Sequence, residues 1–191
     1  MNAKDRILEC ALDELERAGT AAFSLRAVAV AAGLTPMAVY RHYANREELL
    51  AAAGAAAFAA WAARVESIKA KNPFDWLRKA ARAYALFALD EPARFDACFT
   101  LQTSVERIYP RDFAAGKSPV ISRVMGQLRE AGLAGGKADD ALELSLFFWA
   151  ELHGLAMLHR SGRFAMPRAD FLALCDRAAL RLIGVPPAHK S

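Results

Sequence analysis

Cysteine is scarce and scattered: Cys10, Cys98 and Cys175 are odd in number and share no short spacing. That excludes a disulfide framework and a zinc-ligand pattern, and it fits buried thiols in a reducing cytoplasm. No secretory leader is expected either, because Lys4, Asp5, Arg6 and Glu9 place charges where a signal peptide carries its apolar run. The longest uncharged stretch, Leu49 to Ala63, falls short of the roughly 20 apolar residues that cross a bilayer. Its alanines and Gly54 predict a closely packed interior helix, and no membrane partner is expected. Alternating β-branched runs are almost absent, whereas Ala, Leu, Arg and Glu recur at three- and four-residue spacing, which predicts an all-α fold. The signatures of common enzyme sites are also missing. There is no His-Glu-x-x-His, no paired Glu-x-x-His, no glycine-rich phosphate loop after a strand and no serine elbow. These absences predict a protein that is not an enzyme and needs no cofactor or metal.

What is present fits a folded chain with a sizeable core: 191 residues, 55% hydrophobic and 24% charged, with a formal net charge of +4. The distribution of charge says more than the total. From Arg17 through Arg46 there is no Asp or Glu, while Arg17, Arg26, Arg41, His42 and Arg46 all fall there. A polyanion is drawn to such a surface and releases counterions on contact.

Punctuation divides the chain into helices. Ile7, Leu8, Ala11, Leu12 and Leu15 form the apolar stripe of a first helix that Gly19 ends. Ser24 suits an N-cap for a helix over 25–32, closed by Gly33. Thr35 caps the next, with Pro36 at its first position, running to about Tyr43. Asn45 and Glu48 read as a capping box opening a long fourth helix to about Ala70. Further helices are predicted over 74–89, 93–102, 119–131, 138–160 and 168–183, about nine in all, with 108–117 a loop.

Residues 24–46, SLRAVAVAAGLTPMAVYRHYANR, therefore hold a short helix, a glycine turn, a second short helix and the capped start of another. This is the layout of a helix-turn-helix, whose second helix enters the major groove. Ala29 permits close crossing, Gly33 takes a positive φ cheaply, and Val39 seats the second helix on the core. With ILECALDELERAG before it and NREELL after it, the stretch Ile7 to Leu50 resembles the TetR family, the tetracycline-repressor-like regulators. Trp149 to Gly154 is similar to a Trp-x-x-x-His-Gly signature of one subgroup's C-terminal domain.

The resemblance implies a homodimeric transcriptional regulator. It divides into a DNA-binding domain over 1–47, a ligand-binding and dimerisation domain over 48–186, and a tail over 187–191. It implies that double-stranded DNA with a palindromic operator is bound by Thr35, Pro36, Met37, Ala38, Tyr40, Arg41, His42 and Tyr43, flanked by Ser24, Arg26 and Arg46. Met37 suits a thymine methyl or a base edge. Arg41 reads guanine bidentately or contacts phosphate. Tyr43 packs or donates to phosphate. Arg46 stands where the family usually has Lys and is expected to hold a phosphate. For a small apolar or aromatic effector the candidate lining is Trp61, Tyr84, Phe87, Phe99, Met125, Phe148 and Trp149, with Gln102 and His153 as polar anchors. His153 is also readable as a packed core histidine. Leu155, Leu158, Phe171, Leu174 and Leu182 are the expected dimer surface. The reading is a repressor released by that effector, the alternative being control by a partner protein.

Overall fold

A computed structural model describes residues 2–99, 107–134, 138–182 and 184. Among these there are ten helices and no strand: α1 (Ala3–Ala22), α2 (Leu25–Ala31), α3 (Pro36–Tyr40), α4 (Arg46–Glu66), α5 (Pro73–Asp90), α6 (Pro92–Phe99), α7 (Arg111–Ala114), α8 (Pro119–Glu130), α9 (Ala138–Arg160) and α10 (Arg168–Leu182). The fold is all-α, as the composition predicts. The helix starts follow local chemistry. Ser24 Oγ accepts from the Ala27 amide at 3.4 Å, and Thr35 Oγ1 from that of Ala38 at 3.2 Å. Asn45 and Glu48 form the expected reciprocal box: Asn45 Oδ1 accepts from Glu48 N at 2.8 Å, and Glu48 Oε2 accepts from Ala44 N at 2.6 Å.

The described contacts group the chain into two units, Met1–Trp61 with Glu91–Glu106, and Ala62–Asp90 with Arg107–Ser191. In the first, α1 packs on α2 and α6, and α2 on α3. Its core comprises Ile7, Ala11, Leu15, Val28, Ala29, Val39, Leu49, Leu50 and Ala53, with Ala93 and Ala97 of α6 closing it. In the second, α5 packs against α8, α9 and α10, and α9 against α8 and α10. Trp76, Leu77, Leu128 and Phe171 are almost wholly buried there. Each such side chain contributes roughly 2–3 kcal/mol through removal from water.

Three details depart from the sequence reading. The segment predicted as a loop over 108–117 contains α7, held by Asp112, which is 2% exposed and ion-paired to Arg111 and Lys117 at 2.9 Å each. The short third helix stops at Tyr40, so Tyr43 follows it in a turn. The fourth helix ends at Glu66 rather than near Ala70. There Asn72 Oδ1 already caps α5 by accepting from Asp75 N at 2.9 Å, which fixes the preceding residues in a non-helical turn.

Helices Arg46–Glu66 and Asp140–Arg160 each have the length and mean hydropathy (1.3) that a membrane span needs. The uncharged run Leu49 to Ala63 fell short of a span because it is shorter than α4, whose charged flanks complete that length. Each also contributes to a core: α4 buries Leu49, Leu50, Ala53 and Trp61, and α9 buries Leu142, Phe148, Leu152 and Ala156.

Candidate nucleic-acid interface and bundle site

The turn between α2 and α3 is built by Gly33, at φ 63°, with Leu34 N donating to Ala29 O at 2.9 Å. That left-handed step is cheap only for glycine. Ala29 and Val39 are fully buried, which brings the two short helices together. The opposite face is open. Arg26, Thr35, Pro36, Met37, Tyr40, Arg41 and His42 are exposed, Met37 to 71% and Tyr40 to 48%, with Ser24 and Ala38 half-buried. Thr35 Oγ1 is used as a cap acceptor, which leaves its hydroxyl hydrogen available as a donor.

Three basic-run residues have other work. Arg17 is paired with Glu14 at 2.7 Å, so its charge is largely cancelled. Tyr43 is 3% exposed within the first unit's core, and burial, followed by Asp5 and Glu48, raises its phenol above the ordinary range. It therefore packs, and of the two roles the sequence allowed, the phosphate donor is not the one its position serves. Arg46, with a side chain 36% exposed, reaches back to the segment before α2. Its Nε donates to Phe23 O at 3.1 Å, its Nη2 donates to Thr20 O, and its guanidinium lies 5.9 Å from the Phe23 ring centre. Val30 of α2, which the sequence reading did not single out, is 76% exposed.

The expected effector residues divide between the two units. Trp61 and Phe99 belong to the first, and Tyr84, Phe87, Met125, Phe148, Trp149 and His153 to the second. Gln102 lies outside the described residues. Within the second unit, Tyr84 is the centre of a polar network. Trp149 Nε1–H donates to Tyr84 Oη at 3.1 Å, and Tyr84 Oη lies 2.8 Å from His153 Nδ1. Phe113 stacks on Trp149 with centroids 6.3 Å apart, and Trp149 meets His153 edge-on at 6.3 Å. A shallow apolar dimple with essentially no enclosed volume is lined by Tyr109, Phe113, Ile121, Leu142, Ser145, Leu146 and Trp149. Of the expected lining only Trp149 borders it; Phe87 and Phe148 are buried core. Phe113 and Tyr109 were missed because they sit in and beside α7. Burial raises the carboxyl of Glu151. Among the described residues no group of three or more His, Cys, Asp or Glu could hold a metal ion.

The expected dimer residues also separate. Phe171 is fully buried and stacks on His159 at 4.1 Å, so it belongs to the core of its own unit and is withdrawn from that surface. Leu158 is 39% exposed, while Leu155, Leu174 and Leu182 are half-buried. Phe147 (49%) and Met157 (36%) add to the apolar surface of α9.

Comparison with known proteins places this geometry. Residues 7–53 match the family described as bacterial regulatory proteins, tetR family. Residues 77–182 match the one described as tetracyclin repressor-like, C-terminal domain. No curated protein matches the chain in sequence. Solved structures share the fold at low identity. A TetR family transcription regulator from Marinobacter aquaeolei VT8 has 22% identity and a TM-score of 0.67, over 94% of each chain. A TetR variant from Acinetobacter baumannii AYE in complex with minocycline has 17% identity and a TM-score of 0.64, over 93% of this chain and 92% of that one. The regulator FadR from Bacillus subtilis in complex with stearoyl-CoA has 12% identity and a TM-score of 0.68, over 96% of this chain and 99% of that one. With its helix-turn-helix and its C-terminal bundle each matched in sequence, the chain belongs to the tetR family of transcription regulators.

Proposed function

We propose that this regulator is a cytoplasmic repressor that binds a palindromic operator as a homodimer and is released by a small apolar or aromatic effector. Residues 1–47 serve DNA binding, and 48–186 serve effector binding and dimerisation. The observation that carries the reading is that Arg26, Thr35, Pro36, Met37, Tyr40, Arg41 and His42, from a segment without Asp or Glu, are all exposed. Arg41 and Tyr40 supply donors for phosphate or a base edge, and Met37 supplies an apolar contact for a thymine methyl. So short a helix carries little specificity alone. Two copies engaging half-sites one helical turn apart supply the rest. The exposed apolar stripe of α9, from Phe147 to Leu158, supports a second copy as its cover.

Relatives of this fold hold ligands as different as minocycline and stearoyl-CoA. The effector class therefore rests on this chain's own aromatic residues around Tyr109, Phe113 and Trp149, beside the Tyr84–His153 pair that Trp149 joins. Release is a population shift: the effector must favour the arrangement in which the two recognition helices miss their half-sites.

The test is selection of duplexes from a random pool, followed by titration at several salt concentrations. A two-fold symmetric site should emerge, bound more tightly than random DNA, with a steep linear fall of log affinity with log salt. Equal affinity for random duplex at 200 mM salt would refute the reading. For the effector arm, panels of aromatic and apolar compounds are added while Trp fluorescence and operator release are followed. A compound that binds without changing operator affinity argues against induction.

A further inference from the structure

Arg46 opens α4, and its side chain keeps about a third of its surface exposed (36%), with Nη1 3.7 Å from Glu47 Oε1. The side chain runs back to the connection between α1 and α2. Nε donates to Phe23 O at 3.1 Å and Nη2 donates to Thr20 O, while the guanidinium plane approaches the Phe23 ring at 5.9 Å. Both acceptors lie past the non-helical Gly19 (φ 70°, ψ 174°) that breaks the regular run of α1. Their carbonyls therefore have no continuing helix to pair with. Phe23 is 4% exposed, and the next residue, Ser24, caps α2. One forked cation thus ties the first turn of α4 to the segment that sets where α2, and through Gly33 α3, begins.

The geometry of the fork is particular to arginine. A guanidinium offers donors fixed in a plane, so it can meet two carbonyls whose positions are set by backbone. An ammonium is a point donor on a flexible stem. The reciprocal Asn45–Glu48 box holds the start of α4, so the Cα of Arg46 is a fixed anchor.

We propose that Arg46 is a positioning residue for operator recognition, setting the placement of the α2–α3 pair through Thr20 and Phe23, and that it is not a phosphate ligand. This rests on the DNA-binding reading above and assigns a different role to one residue within it.

The test uses the full-length protein and a duplex selected by the wild type from a random pool, with a scrambled duplex alongside. If the wild type does not discriminate the two, the DNA-binding reading itself fails and Arg46 is not at issue. Given discrimination, Arg46→Lys keeps the charge and loses the fork, and Arg46→Gln loses both. Positioning predicts that both variants lose about tenfold or more in selected-site affinity, the scale of charge-assisted hydrogen bonds. Affinity for scrambled duplex and the salt slope of the complex should stay at wild-type values, which loss of bulk stability alone would not produce. A phosphate contact predicts the reverse: Arg46→Gln lowers the slope by about one per protomer while Arg46→Lys retains it and most of the affinity. That pattern, or unchanged discrimination in both variants, overturns the proposal. If the variants do not fold, the wild-type Arg46 Nε–H resonance decides. A clamp leaves its shift unaltered when duplex is added, and a phosphate contact moves it.

Discussion

Tyr84 joins two side chains that the sequence could only mark as neighbours on one helix face. Its hydroxyl accepts from Trp149 Nε1–H at 3.1 Å and lies 2.8 Å from His153 Nδ1. Tyr84→Phe keeps the ring and its packing and removes both of these bonds. A loss of about 1–3 kcal/mol is expected, since each is worth about 1 kcal/mol and the site is largely buried. Urea unfolding followed by Trp fluorescence measures it, and an unchanged midpoint would show that the network contributes nothing to stability. Asp112 offers a second test at the same scale. Arg111, the amide of Ile108 and Lys117 hold its carboxyl well below the ordinary range. A carboxylate depressed on folding stabilises the protein above its unfolded pKa, near 4, and that stability drains as pH falls below it. Asp112→Asn should therefore lower the denaturation midpoint at pH 7, and the gap to wild type should shrink at pH 3. Asp75 and Asp90 are depressed too and persist in both proteins, so the difference isolates Asp112. A gap that is constant across this range would contradict the assignment.

At the scale of elements, Gly54 and Gly126 make a controlled pair. A Cβ at Gly54 in α4 would stand 2.8 Å from the carbonyl oxygen of Ala97 in α6, whereas one at Gly126 in α8 meets nothing within 4 Å. Alanine is the better helix former by about 1 kcal/mol at either position. At Gly126 that gain should appear as added stability. At Gly54 the overlap is with backbone, which yields only if α4 and α6 separate, and overpacking of this kind costs about 1–3 kcal/mol. The net sign is destabilising there, and thermal unfolding of the two variants should move in opposite directions. The same contrast explains what was legible beforehand. Helix starts were readable because Ser24, Thr35-Pro36 and Asn45–Glu48 act on backbone within four residues of themselves. Helix α7 was not, because a four-residue helix between Pro110 and Gly116 is held by charges on Asp112 and not by periodicity. The side facing of Phe171 was equally hidden. Phe171 is in helical step with half-buried Leu174 and Leu182 and also with buried Cys175, Ala178 and Ala179, and only the neighbours of α10 decide which side is covered. Tyr43 was left with two readings, packing or phosphate contact, because it lies beyond the end of α3 at Tyr40, where no helical period applies.

For the whole molecule, the proposed dimer and the proposed operator stand or fall together. Leu158 is 39% exposed on α9 and takes no part in the buried core of its unit. Leu158→Glu should therefore leave the fold intact, with unchanged helical signal and unfolding midpoint. In the dimer the same position would bury an unpaired carboxylate, a penalty of several kcal/mol counted on both copies. Sedimentation at micromolar concentration should then report a monomer. The DNA behaviour of that monomer carries the stronger inference. A single α3 engages one half-site, so the number of phosphates neutralised falls by about half, and the slope of log affinity against log salt falls with it. Affinity for the symmetric site should drop toward that for an isolated half-site, while binding to that half-site stays at the wild-type single-copy level. A variant that is monomeric yet retains full affinity and slope on the symmetric duplex would separate recognition from dimerisation and remove the palindrome from the reading. A variant that stays dimeric would instead move the interface away from the exposed stripe of α9.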